Sequence, residues 1–100
     1  MRIISKQTLV KYYERYPDSK IPLMAWYNVA KKSTFSNVNE VKITFNKVSV
    51  LSNNRVVFNI KGNDYRLIVA AQFEIGIFYI CWVGTHSEYD KIDANTIWVH

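Results

Sequence analysis

The stretch RVVFNIKGNDYRLIVAAQF, residues 55–73, decides the fold class. Within it RVVFNIK (55–61) alternates apolar and polar positions, and DYRLIVAAQF (64–73) alternates again, the period-2 signature of half-buried strands. Gly62-Asn63 between them is a two-residue hairpin signal. A loop at those two residues sets Lys61 against Asp64, Ile60 against Tyr65, Asn59 against Arg66 and Phe58 against Leu67. Val56, Phe58, Ile60, Tyr65, Leu67 and Val69 then share one face, while Asn59, Lys61 and Arg66 share the other. A slip of one residue would turn the apolar set outward, so turn and pattern fix the same register.

Outward from the hairpin, a turn near Ile75-Gly76 leads to IFYICWV (77–83), apolar on both faces as a central or well-covered strand would be. Thr85-His86-Ser87-Glu88 has the form of a capping box, with Thr85 as cap and Glu88 at the third helical position. It predicts a short helix from His86 to about Asp93, with His86, Tyr89, Asp90 and Asp93 on one side. Asn95–His100 is too short to assign.

Toward the N-terminus, residues 33–54 show no sustained period and read as a connecting segment with one short strand. Pro22 opens a second helix, where its missing N–H costs nothing, and Leu23, Trp26, Tyr27 and Ala30 follow helical spacing along it. Lys31 and Lys32 stand where the helix dipole favours positive charge. Leu9, Tyr13 and Tyr16 mark an earlier helix capped by Ser5, stapled by Ile4 and Leu9, and ended by Pro17. Met1–Ile4 is short and apolar, as an edge strand is. The order is β-α-α, an antiparallel meander, then a short α. This predicts one α+β domain over residues 1–100, with an N-terminal helical hairpin on an antiparallel sheet and a short C-terminal helix.

Composition fits a compact ordered domain: 49% hydrophobic, 15% aromatic, and only three Gly and two Pro. No signal-like run opens MRIISKQTLVKYY, and no 18-residue apolar span occurs. Cys81 is alone in IFYICWVG, which predicts a buried, inert thiol and a reduced, cytoplasmic setting without disulfide or metal site. Charge is uneven. Residues 1–61 hold 11 Lys/Arg against 3 Asp/Glu, a net of +8, whereas residues 62–100 hold 2 against 5, a net of −3. A basic surface of this kind suits RNA or an acidic protein segment, and it also serves solubility.

No phosphate-binding Gly-rich loop, HExxH or GxSxG occurs, which leaves a small set in the second half. Lys61 and Arg66 belong to the hairpin; His86, Tyr89 and Asp90 belong to the terminal helix. A helix folding back beside the sheet would bring the two groups to one sheet end. Metal-free RNA cleavage needs a base for the 2′-OH, an acid for the departing 5′-oxygen and a cation for the phosphate. Histidine suits the first two tasks and arginine the third. Tyrosine can bond a phosphate or stack on an unpaired base. Structural roles compete with each assignment: Arg66 pairing with Asp64, His86 in a local hydrogen bond, Tyr89 in the core, Lys61 in solvent.

VVFNIKGNDYRLIV (56–69) and THSEYDKID (85–93), at this separation, resemble the HigB-type toxin family, as do ISKQTLVKYYERYPDSK (4–20) and the tryptophan-bearing second helix. The resemblance runs over residues 1–93. It implies a RelE/ParE-like fold and an mRNA endonuclease acting on messages as ribosomes read them. It also implies a HigA-type helix-turn-helix antitoxin and no cofactor. Carried over by position, Lys61 and Arg66 would take phosphate charge, His86 general acid/base duty and Tyr89 orientation of the scissile nucleotide. Asn59, Asn63 and Asp90 would contact RNA. Two alternatives share the sequence: a ParE-like poison of DNA gyrase, and a non-enzymatic RNA- or protein-binding module. The antitoxin would dock on the basic N-terminal helices or over the Arg66/His86 face.

Overall fold

Five strands build one sheet: β1 (Arg2–Ile4), β2 (Val48–Val50), β3 (Arg55–Ile60), β4 (Tyr65–Gln72) and β5 (Ile77–Thr85), in the order β1-β5-β4-β3-β2. The computed structural model describes residues 1–99. The β3–β4 hairpin takes the register its alternation demands, with Ile60 opposite Tyr65, Asn59 opposite Arg66 and Phe58 opposite Leu67. The ladder ends at Ile60–Tyr65, so residues 61–64 form a four-residue connection instead of the expected two. Lys61 (φ 53°) and Gly62 (φ 64°) are both left-handed, and the Asp64 N–H donates to the Lys61 carbonyl at 3.2 Å. Glycine carries that conformation without a Cβ clash. At Lys61 it removes the side chain from the alternation of β3.

The sheet is mixed, which corrects the antiparallel expectation. β1 runs parallel to β5, with Arg2 opposite Ile77 and Ile4 opposite Tyr79. These strands are separated by most of the chain, and no hairpin forces them to run in opposite directions. β5 reads apolar throughout for a local reason. Ile68 faces Trp82 while Val69 faces Ile80, leaving Cys81 as the extra residue of a bulge. Phe78 and Ile80 pack toward the helices before the bulge and Val83 does so after it, whereas Cys81 and Trp82 pack on the second face.

On the first face lie α1 (Lys6–Arg15), α2 (Lys20–Lys32) and α3 (Val38–Thr44). Leu9 of α1 and Leu23, Trp26 and Ala30 of α2 are buried, as their spacing predicts. Three local details differ from the sequence reading. Ser5 occupies the cap of α1 without a side-chain cap bond, and its carbonyl instead accepts from the Thr8 N–H at 3.1 Å. Pro17 opens a 3₁₀ turn (Pro17–Ser19) that runs into α2, so α2 begins at Lys20 and Pro22 sits inside its first turn. The segment read as a connection contains α3, whose cap is Asn37; its side chain accepts from the Glu40 N–H at 3.1 Å. Phe58 is buried between Trp26, Phe45 and Phe78, with ring centroids 5.2, 5.0 and 6.2 Å away.

The second face is covered by the C-terminal segment. α4 (His86–Tyr89) ends four residues earlier than predicted, so Asp93 leaves the helical side shared by His86, Tyr89 and Asp90. The Asp93 carbonyl and carboxylate instead hold a turn, accepting from the Ile97 and Asn95 N–H groups. Leu51, Ala70, Tyr89, Ile92, Ala94 and Ile97 pack on Val57, Ile68, Cys81 and Trp82. The Val99 N–H then reaches the Cys81 carbonyl at 2.8 Å. Arg55 anchors this segment from beneath: it is buried, donates to the Ala94 and Ile97 carbonyls, and lies under the Trp98 ring. Cys81 is fully buried, and burial pushes its thiol up. Among the described residues no helix is long and apolar enough to cross a membrane, and His100 lies outside them.

Candidate active site

α4 starts where β5 ends, and both meet the hairpin turn. Thr85 pairs with Tyr65 across the β4–β5 ladder, and the next residue, His86, donates its backbone N–H to the Asp64 carbonyl at 3.0 Å. The capping box is complete: the Thr85 side chain accepts from the Glu88 N–H at 3.1 Å, and the Glu88 carboxylate accepts from the Thr85 N–H at 2.8 Å. These bonds fix where His86, Tyr89 and Asp90 stand relative to the hairpin.

Arg66 projects from the same end of the sheet, opposite Gly84. Its guanidinium Nη1 donates to the Asn63 and Tyr65 carbonyls at 3.1 and 3.2 Å. The expected alternative, an ion pair with Asp64, does not form; Asp64 lies 3.8 Å from Lys61 instead. Backbone carbonyls orient the arginine without neutralising it, so its charge remains available to an anion. Gly84 has a steric reason to be glycine. A Cβ there would stand 2.3 Å from the Trp82 ring, which therefore lies across the Gly84 backbone. The Trp82 ring also sits 6.3 Å from that of Tyr89, and Trp82 thus seats α4 on the sheet.

His86 and Asp90 face each other one helical turn apart, with Nδ1 3.5 Å from Oδ2 and both side chains more than half exposed. The Asn59 side-chain amide donates to Asn63 Oδ1 at 3.1 Å, joining strand and turn on an exposed edge. Six of the seven candidates, Asn59, Asn63, Arg66, His86, Tyr89 and Asp90, are therefore gathered around one end of the sheet.

Lys61 is the exception. Its left-handed backbone sends the ammonium toward the helix side of the turn, 3.1 Å from Asp18 Oδ2. The Tyr65 hydroxyl donates to the same carboxylate oxygen at 2.6 Å. That bond, with the Lys61 contact second, holds the Asp18 carboxyl below the usual carboxylate range. Reciprocally, the bond to Asp18 and then burial push Tyr65 up to about 12. Lys61 thus ties the hairpin turn to the 3₁₀ turn before α2, and does not share a face with Arg66.

Residues 19–92 match the family model of the HigB toxin, the RelE-like toxic component of a toxin–antitoxin system. That span contains all seven candidates. The chain belongs to the HigB toxin family. Among curated relatives of this HigB-family chain, the "mRNA interferase toxin HigB" of Escherichia coli K12 is 33% identical over 96 residues, covering 94% of this chain and 92% of the relative. The "mRNA interferase HigB" of Shigella flexneri matches to the same extent. That of Escherichia coli O6:H1 is 30% identical over 94 residues, covering 92% and 91%.

The α+β, RelE-like architecture read from the sequence of this HigB-family chain holds. Two supports of its candidate site were not read from the sequence. Gly84, directly following large apolar residues inside a strand, carried a usable signal, since such a glycine often marks close approach of another group. Arg55 gave none, because its partners are carbonyls of an irregular segment some forty residues on.

Proposed function

We propose that this chain is an mRNA interferase that cuts translated messages on the ribosome by metal-free attack of a 2′-OH, and that a HigA-type helix-turn-helix antitoxin neutralises it. The observation that carries the reading is the meeting, on one exposed sheet end, of an arginine without an ion-pair partner among the described residues and a histidine backed by a carboxylate. The relatives' own activity, that of an mRNA interferase, supports it.

In this reading Asp90 holds His86 Nδ1 and leaves Nε2 to take the proton from the 2′-OH. The 2′-oxygen bonds to phosphorus, the bond to the 5′-oxygen breaks, and His86 returns the proton to that leaving oxygen. The products are a 2′,3′-cyclic phosphate and a 5′-hydroxyl. Arg66 meets the charge that builds on the phosphoryl oxygens, already aimed by its two carbonyl bonds. Tyr89 orients the scissile nucleotide, and the Asn59–Asn63 pair offers donors and acceptors to base edges. Lys61 adds positive charge from the far side of the turn. The antitoxin neutralises the chain either from the basic N-terminal helices or by covering the Arg66/His86 end.

The test is primer extension on messages in a translating extract containing EDTA-treated protein, with Arg66→Ala and His86→Ala proteins shown to be folded. Each substitution is expected to lower cleavage by roughly 10²–10³-fold. Wild-type-like cleavage by both would remove the mechanism. Growth arrest without cuts, together with inhibited gyrase supercoiling, would replace it with the gyrase reading.

A further inference from the structure

β1 covers only the first three residues of β5, from Ile77 to Tyr79. Among the described residues no strand flanks β5 beyond Tyr79 on that side; Val99, bonded to the Cys81 carbonyl, and α1 border the gap. A cleft of ≈ 390 Å³ lies there, within the range of small-ligand sites. Lys11 and Arg15 rim it from α1, and Tyr12, Tyr16 and Trp82 form its apolar wall. Among the described residues neither Lys11 nor Arg15 has a carboxylate within ion-pairing distance. The Tyr12 and Tyr16 rings lie 4.8 Å apart, and the Arg15 guanidinium lies 5.6 Å from the Tyr16 centroid. Cations beside an aromatic platform are the combination that holds single-stranded nucleic acid, with bases on the rings and phosphates on the charges.

The cleft is continuous with the candidate active site. Trp82 belongs to both, since its ring crosses Gly84 opposite Arg66 and adjoins Tyr89. Glu88, one residue before Tyr89, also lines the cleft. One Glu88 oxygen is committed to the Thr85 N–H, and the carboxylate has further acceptor capacity for a base amino group.

We propose that this cleft is a second nucleotide subsite, taking a nucleotide that neighbours the scissile one, its base against Tyr16 and Trp82 and its phosphate on Lys11 and Arg15. The proposal rests on the nuclease reading for the direction of the strand, and its test is separate from cleavage. RNA enters through the Arg66/His86 end and leaves over α1. This gives the excess positive charge of the N-terminal half a role in substrate binding.

The experiment measures binding of fluorescent, non-cleavable 2′-O-methyl RNA, as a trinucleotide and a hexanucleotide, across a salt series. Wild type is expected to bind the hexamer more tightly than the trimer. A Lys11→Ala/Arg15→Ala protein, altered at helix positions that suit alanine, is expected to lose about tenfold in hexamer affinity. Its salt slope should fall by roughly 0.7, the value for one neutralised phosphate on a single strand. Trimer binding and fold should be unchanged. A hexamer carrying 4-thiouridine is expected to crosslink to Tyr16 or Trp82. Equal hexamer affinity in the two proteins, or no hexamer advantage in wild type, overturns the proposal. Unchanged RNA binding with loss of the antitoxin complex also overturns it and assigns the cleft to the antitoxin. If the hexamer binds as described but wild type cuts no message, the subsite stands and the nuclease reading falls.

Discussion

The helix-facing side of the sheet and the opposite side are closed by different means. On the first, α1, α2 and α3 press Leu9, Leu23, Trp26 and Val41 onto Phe58, Leu67, Val69 and Phe78, all buried in one continuous cluster. On the second, a short helix and an irregular tail cover Val57, Ile68, Cys81 and Trp82 only, and the tail is fastened by Arg55 to two carbonyls. Trp98 and Val99 remain 44% and 46% exposed at its end. The first face supplies cohesion by apolar area. The second gives up area and keeps polar side chains at its rim, which is where the candidate site lies.

The comparison breaks most clearly at Phe58, which is 1% exposed. Phe58→Ala is expected to cost about 3–5 kcal/mol, the usual range for a deleted core ring. Ile97→Ala, in the looser cover of the second face, should cost about 1 kcal/mol, near the common value for point substitutions. Urea unfolding of both proteins measures the difference. Equal costs would mean that the two faces are equally well packed.

Arg55 comes next. A buried guanidinium that donates to two carbonyls exchanges charge-assisted hydrogen bonds for desolvation. Arg55→Met keeps much of the apolar stem and removes the donors, so about 2–3 kcal/mol should be lost. The loss should be local: amide hydrogen exchange at residues 94–99 should accelerate well before that of β3–β5. Uniform acceleration would show that the tail belongs to the same cooperative unit as the helix-side core.

The same contrast decides what could be read from the sequence. Phe58–Leu67 and its neighbours follow period 2, and Leu23–Ala30 follows period 3.6, because regular elements bury regular stripes. The Thr85–Glu88 capping box is equally local and placed α4 correctly at its start. Its early end, the β5 bulge at Cys81 and the passage of residues 90–99 across the sheet depend on contacts far apart in sequence, and no period reports them. α3 had a local signal, Asn37 three residues before Glu40, but its seven residues are too few to show periodicity against the surrounding Asn, Ser and Lys. At the site, the Asn59–Arg66 register was legible. The displacement of Lys61 was not, because it depends on a left-handed backbone and on Asp18 more than forty residues away.

Gly84 couples the second face to the proposed chemistry. Its alanine variant must push aside the Trp82 ring, whose atoms lie 2.3 and 2.4 Å from the new Cβ. Overpacking of this kind costs about 1–3 kcal/mol. Because Trp82 also seats Tyr89, message cleavage should fall further than stability predicts, while α1 and α2 keep wild-type exchange rates. Cleavage that merely tracks the folded fraction would make Trp82 a packing residue only.

The smallest effect is expected at the hairpin turn, where Asp18, Lys61 and Tyr65 fasten the turn to the helices of the first face. Asp18 titrates below its ordinary 3.8 in the folded chain, chiefly through the Tyr65 bond. Its stabilisation is therefore present above that ordinary value and is lost as pH falls through the lowered one. Tyr65, pushed up from 10.0 to about 12, contributes below pH 10 and loses its contribution as pH rises through about 12. Tyr65→Phe removes the donor and leaves the ring in place. The stability gap between wild type and variant should therefore be open across neutral pH and close at both extremes. In a carboxyl-carbon NMR titration, Asp18 of the variant should move up toward 3.8, with Lys61 and a backbone hydrogen bond still holding it down. An unmoved Asp18 would assign its shift to Lys61 instead, and the lysine would then be the residue that fastens the turn.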